Sequence, residues 1–192
     1  MRCYAFVDGA YVRKETTNTE PSVPFPNIRQ MVDNACKGNF QKDPVTDASV
    51  GSFSVPFERI YFYDAAPEVP TEELESYWRS LKRQPDVQLG WGFLRGVERR
   101  RRQKGVDTLL ATDMLVGGFN KLFDVALLFS GDEDFVPVVQ ELKRMGVKVL
   151  VLGFEGSCSV ELIEVSDRYF LYPRNKNWNG YALPLTPKPG NH

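Results

Sequence analysis

Phe123-Asp124-Val125-Ala126-Leu127-Leu128-Phe129 is a short apolar run that stops at Ser130-Gly131-Asp132-Glu133-Asp134-Phe135. A run of that length ending in Ser-Gly reads as a buried strand entering a tight turn. After the turn, Phe135, Val138, Val139 and Leu142 recur at helical spacing, and Gly146 terminates the pattern. The spacing predicts a helix over 134–145, with Pro137 tolerated only in its first turn. A second apolar run, 147–152, follows. Strand, helix and strand together predict a parallel β–α–β unit. The carboxylates then project from a strand's C-terminal end, the edge where open α/β sheets bind ligands. Three consecutive acids repel one another and call for a nearby positive charge, with a divalent metal ion as the leading candidate.

The same alternation extends across the chain. Residues 3–8, 58–64 and 87–93 are further strand candidates, short and rich in aromatic and β-branched residues. Thr71 caps a helix whose stripe is Leu74, Tyr77, Trp78 and Leu81 and which Pro85 ends. Two more helices are expected over 106–117, stopping at Gly117-Gly118, and over 158–167. This predicts an α/β fold: a mostly parallel sheet of about five strands with helices on both faces. Residues 14–56 interrupt the pattern and are rich in Thr, Asn, Pro, Ser and Gly. Within them, Asn27 caps a helix with stripe Ile28, Met31, Val32 and Ala35. Residues 39–56 read either as a neutral surface insertion or as a flap over the ligand edge. Residues 173–192 are expected to pack as an irregular tail. The 192 residues suit one domain, here 1–172 with the 14–56 insertion, plus that tail.

Composition removes several classes of function. The net charge is −1, so nucleic-acid binding must come from a local patch. No apolar stretch is long enough to span a bilayer, so no membrane partner is expected. Residues 1–8 enter a strand directly, without a signal-peptide pattern, which makes a cytoplasmic location the expectation. Cys3, Cys36 and Cys158 are odd in number and far apart in sequence, which argues against a disulfide framework or a thiolate zinc site. They are expected to be small buried apolar residues. The only histidine is His192, so a catalytic triad, a histidine base and a His-rich metal site are all disfavoured. Chemistry must use carboxylates, Lys/Arg, hydroxyls or a cofactor.

Acids recur at the ends of the expected strands: Asp8 ends 3–8, Asp64 ends 58–64, and Asp132 and Asp134 follow 123–129. Asp107 opens the 106–117 helix at the same edge. Asp8 and Asp132 become neighbours if the first and fourth strands are adjacent, as at the switch point of a doubly wound sheet. Carboxylates gathered in a low-dielectric cleft stay ionised only beside cations, and hard oxygen ligands suit Mg²⁺ or Mn²⁺. Such ions can hold a phosphodiester and lower the pKa of a bound water. Each acid also has a structural reading: a turn at Asp8, a loop cap at Asp64, a helix N-cap at Asp107, Asp132 or Asp134, and solvent at Glu133. Asp113 falls beside the buried stripe of its helix and needs a partner.

Between the third strand and Asp107 runs Arg95-Gly96-Val97-Glu98-Arg99-Arg100-Arg101-Arg102-Gln103-Lys104. A charge run is ordinarily a solvated loop face. Here it leads into the acidic positions, and arginine pairs bidentately with phosphate oxygens. A positive rail beside a carboxylate cluster suits a polyanion. Lys104, Arg99, Arg100, Arg101, Arg102 and Ser130 are the candidate substrate contacts. Trp91, Phe93 and Tyr11 are candidates for stacking on bases, with core packing the alternative for Phe93.

Phe6-Val7-Asp8-Gly9, Gln103-Lys104-Gly105-Val106-Asp107, Thr112-Asp113-Met114 and Ser130-Gly131-Asp132-Glu133-Asp134-Phe135-Val136-Pro137 together resemble the NYN domain. That is the PIN-like nuclease group that includes the LabA-like bacterial proteins. The resemblance extends from the first strand to about residue 172. It implies a PIN-like three-layer sandwich with strand order 3-2-1-4-5 and a metal-dependent ribonuclease leaving a 5′-phosphate and a 3′-hydroxyl. By position, the metal-binding and catalytic carboxylates would be Asp8, Asp107 and Asp132, with Asp134 as a fourth. RNA is the implied partner; a second copy of the chain or a regulatory protein is a further candidate. Family members often carry an asparagine shortly after the first aspartate, where this chain has Ala10-Tyr11. That departure keeps open an alternative: a weak or inactive RNA- or nucleotide-binding regulatory module. A haloacid-dehalogenase-type phosphohydrolase is disfavoured, because Asp8-Gly9-Ala10 lacks the second aspartate that its chemistry needs.

Overall fold

The computed structural model describes residues 1–19, 22–37, 55–95, 102–174 and 179–185, with the backbone alone at 93–95, 102–104 and 179. Among the described residues, seven strands form one sheet: β1 (Cys3–Asp8), β2 (Phe57–Ala66), β3 (Val87–Arg95), β4 (Arg102–Lys104), β5 (Val125–Phe129), β6 (Lys148–Phe154) and β7 (Arg168–Tyr172). Their order is β4-β3-β2-β1-β5-β6-β7. All neighbours are parallel except the β3–β4 pair. The expected five strands are present in the expected order. Two strands were not expected. β7 extends the parallel sheet, and β4 folds part of the basic run back onto β3, pairing Lys104 with Phe93 and Arg102 with Arg95.

The helices are α1 (Gly9–Thr17), α2 (Ile28–Cys36), α3 (Glu72–Lys82), α4 (Val106–Phe119), α5 (Val136–Arg144) and α6 (Val160–Val165). They lie in two layers because alternate strand residues face opposite ways. Ala5, Val7, Phe62, Leu127 and Phe129 pack with Val12 of α1, Met31 of α2 and Tyr77 of α3. Phe6, Tyr63, Ala126 and Leu128 pack with Leu110 of α4, Val139 of α5 and Leu162 of α6. The chain therefore winds outward from β1 along one face, then returns past β1 and winds the other way along the opposite face. The crevice between β1 and β5 is the switch point.

Local chemistry sets several ends. Thr71 accepts from the Leu74 amide (3.2 Å) and Asn27 from the Gln30 amide (3.1 Å), as the capping patterns predict. Gly105 has φ +87°, a left-handed turn that lets the chain swing from β4 into α4 without Cβ strain. The helix expected over 134–145 divides into a 3₁₀ turn at Glu133–Phe135 and α5, because Pro137 can enter a helix only in its first turn. α1 was not expected: it occupies the start of the supposed insertion, with Asp8 as its N-cap. Residues 38–54, the greater part of the proposed flap, lie outside the described residues. A second 3₁₀ turn, Asn179–Tyr181, is followed by a bridge from Ala182 to Pro26, and the Leu183 amide bonds Phe25 O (2.9 Å). Of the cysteines, Cys3 and Cys36 are buried as expected and Cys158 is not. Cys158 is only half-buried, and the buried Cys3 and Cys36 thiols meet, which together with burial pushes the Cys3 thiol well up.

Asp64 is buried near the end of β2 without capping a loop. Arg13 of α1 pairs with it at 2.6 Å, Trp78 of α3 donates its indole N–H at 3.0 Å, and the Ala65 amide donates at 2.9 Å. One carboxylate thus ties two helices to the sheet. Removing one partner of a buried pair leaves an uncompensated charge. Arg13→Ala is expected to destabilise the fold by about 3 kcal/mol. An Arg13→Met/Asp64→Leu double variant is expected to recover most of that loss. Urea denaturation of the three proteins checks both statements.

Candidate functional site

The site begins at Asp8. As the last residue of β1 and the N-cap of α1, its carboxylate accepts from the Tyr11 amide at 3.0 Å. Ser130, directly after β5, donates its hydroxyl to the other oxygen at 3.3 Å. Parallel pairing of β1 with β5 brings these residues together across 122 positions of sequence. Asp8 is only 8% exposed. Burial pushes its carboxyl up to about 6; the Tyr11 amide opposes this, Asp107 adds to it, Ser130 opposes it, and Asp64 adds to it.

Asp107 and Asp132 line the same cleft, about 380 Å³ in volume, together with Ala10, Tyr11, Lys14, Glu15, Gly131 and Ser157. Asp107 is the second residue of α4 and does not cap it; Gly105 holds that position. Its carboxyl is raised by burial and by the charges of Asp132 and Asp134. Asp132 caps the 3₁₀ turn through the Asp134 amide (3.0 Å) while remaining exposed, so the capping and cleft readings hold together. Asp134 is exposed and does not line the cleft, though Asp107 feels its charge. Glu133 is exposed as expected, and Phe135 is buried and anchors the turn. Among the described residues, no three carboxylate, thiol or imidazole side chains close on a single point that could hold a metal ion. The acids ring the cleft instead.

Of the other candidates, Arg99, Arg100 and Arg101 lie outside the described residues. Arg102 and Lys104 are placed by their backbones in β4, one strand beyond β3. Lys104 is three residues from Asp107, across the Gly105 turn. Asp113 accepts the hydroxyl of buried Tyr63 at 2.8 Å, which supplies the partner its position demanded. Sequence reasoning missed Lys14, Glu15 and Ser157. Asp8, Tyr11 and Lys14/Glu15 have the spacing of one helical face, so reading α1 as a helix would have found the first two. Buried Glu15 pairs with Arg174 at 2.6 Å.

Tyr11 belongs to the framework. Its hydroxyl accepts the Phe154 amide at 3.0 Å and shares a 3.0 Å hydrogen bond with Ser157, joining α1 to the end of β6. Gly131 is held to glycine by this packing. A Cβ there would collide with Ser157 O and come within 2.8 Å of the Tyr11 ring. The floor of the cleft is therefore built from backbone and a tethered aromatic ring.

The NYN domain model matches residues 3–173, and the chain belongs to that family. Its members are generally nuclease-like. An uncharacterized protein, y4oD, of Sinorhizobium fredii (strain NBRC 101917 / NGR234) is 36% identical over 85 residues. That match covers 43% of this chain and 38% of the relative's length. A crystal structure of a protein of unknown function, VPA0982, from Vibrio parahaemolyticus RIMD 2210633 superposes with a TM-score of 0.61 at 18% identity. It covers 88% of this chain and 91% of that one, and it supports the fold alone.

The raised Asp8 carboxyl has a consequence for stability. Its folded value of about 6 lies above its ordinary 3.8, so the folded state holds this proton more tightly than the unfolded chain. The associated stability is complete below pH 3.8 and is lost as pH rises through about 6. Asp8→Asn keeps an acceptor for the Tyr11 amide and removes the charge. Without divalent ions it is expected to be more stable than wild type above pH 6, by about 3 kcal/mol, and to converge with it below pH 4. Melting curves across that range in a chelator provide the check; a constant difference at every pH would contradict it.

Proposed function

We propose that this protein is a Mg²⁺- or Mn²⁺-dependent ribonuclease. The observation that carries the reading is the buried Asp8 carboxylate at the switch point, with Asp107 and Asp132 on the same cleft. The charge of Asp107 helps raise Asp8, those of Asp132 and Asp134 help raise Asp107, and the donors are all hard oxygens. Charge and donor type therefore fit Mg²⁺ or Mn²⁺. Asp8, Asp107 and Asp132, which ring the cleft without closing on one point, would hold it by drawing together, with Asp134 as an auxiliary charge. Such an ion supplies positive charge at the phosphate oxygens and lowers the pKa of a water.

The chain's own groups do the rest. Ser130 and the Tyr11 amide fix both oxygens of Asp8, so this carboxylate is oriented before any ligand arrives. Lys14 brings a cation to the cleft wall, placed to meet a phosphate. The first amides of α4 have no side-chain cap, which leaves the positive end of that helix available beside Asp107. RNA is the substrate class that the family relationship and the basic run of residues 95–104 favour.

A second reading, a non-cleaving RNA- or nucleotide-binding module, is favoured by Tyr11. It stands where family members often have asparagine, and its hydroxyl is committed to Phe154 and Ser157. Substitution separates the readings. Asp8→Asn and Asp132→Asn are each expected to lower cleavage of single-stranded RNA at least about 100-fold, with RNA binding retained. Wild-type protein that binds RNA but cleaves none with either metal establishes the module instead. Survival of cleavage in both variants would rule out the carboxylate mechanism.

Metal binding has its own readout. Saturating Mn²⁺, at about 100 times its dissociation constant, is expected to stabilise wild type by about 2.7 kcal/mol and Asp8→Asn by much less. Thermal melts with and without the ion measure this without reference to activity.

A further inference from the structure

We propose that Trp91 is a stacking platform for an unpaired base of the RNA strand held at the cleft; this rests on the ribonuclease reading above. Trp91 is 39% exposed on β3, where its neighbours Gly90 and Gly92 face the opposite layer, toward Tyr63 and Val106. Its indole meets that of Trp78 edge-on, with centroids 4.6 Å apart and an interplanar angle of 79°. Trp78 is fixed in turn by its 3.0 Å bond to Asp64, which Arg13 clamps. The exposed ring is therefore held before any ligand arrives, which lowers the ordering cost of stacking.

The rim of the groove carries cations that suit a nucleic-acid backbone. Glu75, Trp78, Arg79 and Lys82 form one stripe of α3 and, with Leu89 and Trp91, line a groove of about 220 Å³. Arg79 lies 3.6 Å from Glu75, and Lys82 adds a second cation at the same rim. An exposed indole flanked by cations is the combination that binds single strands: the ring takes the base and the cations take the backbone. Trp91 also stands two residues before Phe93, the partner of Lys104 in the β3–β4 ribbon.

Register places the platform near the cleft. Asp8 aligns with Tyr63, and Asp64 aligns with Trp91, so Trp91 lies two strands from Asp8 and one residue further along the sheet, midway along β3. Two strand spacings are about 10 Å. About three nucleotides, at about 3.4 Å per stacked residue, cover that span. The strand passes over the end of β2, because Trp91 and Asp107 lie against opposite helix layers. A duplex has no free base face to offer, so the platform selects single strands.

The test uses the full chain carrying Asp8→Asn, so that bound RNA stays intact. Anisotropy of a labelled single strand of about 10 nucleotides is compared for this parent and for its Trp91→Ala, Trp91→Leu and Trp91→Phe derivatives. The Leu variant keeps apolar bulk without a π face; the Phe variant keeps the face. Ala and Leu are expected to weaken single-strand binding about 10-fold and Phe at most about 3-fold. Affinity for a duplex of equal length is expected to stay unchanged in all of them. Single-strand affinity in the Leu variant within twofold of the parent overturns the proposal and leaves the groove to a protein partner. Equal losses for single strand and duplex overturn it too. Those outcomes leave the ribonuclease reading intact if wild type still cleaves RNA. A wild type that neither binds nor cleaves RNA overturns both.

Discussion

A carboxylate held almost out of water at the end of the central strand is the constraint around which this structure is organised. Desolvating Asp8 is costly, and only part of that cost is offset, by the Tyr11 amide and the Ser130 hydroxyl. Those two donors come from α1 and from the turn after β5, so the geometry of β1, β5 and α1 must be right at once. Tyr11 reaches further, locking α1 to the end of β6, and Gly131 admits that close approach. The cleft thus exists because three chain segments converge on one acid. A site that keeps an unfavourable charge in place gains from a cation, which is the physical content of the metal-ion reading.

Asp64 makes a useful contrast. It sits at the same sheet edge, one strand away, and is even more deeply buried. Its charge is met inside the protein by Arg13 and Trp78. Two acids of the same type at equivalent strand ends therefore have different roles. The internally paired one is a structural tie. The other, which makes no ion pair among the described residues, faces the cleft. Asp113 follows the first pattern through Tyr63. The distinction rests on partners, which the identity of the acid does not reveal.

Much of the architecture was legible in the sequence. The central strands are short, apolar and bounded by turn residues, because both their faces are covered by helices. Caps such as Thr71 and Asn27 marked their helices. α1 was missed because Gly9–Thr17 contains little apolar periodicity: buried Glu15 is matched to Arg174 and Arg13 to Asp64, so ion pairs stand where a hydrophobic stripe would. β4 was missed because Arg102-Gln103-Lys104 pairs through its backbone and has no apolar pattern. β7 was hidden by a six-residue helix, α6, that ends only three residues before it.

By itself, the sequence determined the strand and helix succession, the parallel sheet, the family and the acids that end the strands. These are written locally, in hydrophobic period, turn residues and motif spacing. Only the tertiary structure decided which acids share a cleft and which are neutralised within the fold. It also recruited Lys14, Glu15 and Ser157 to the cleft, and set Trp91 on a fixed support. Those outcomes depend on which residues, far apart in the chain, parallel pairing and helix packing bring to within a hydrogen bond. No local pattern encodes a partner 122 positions away.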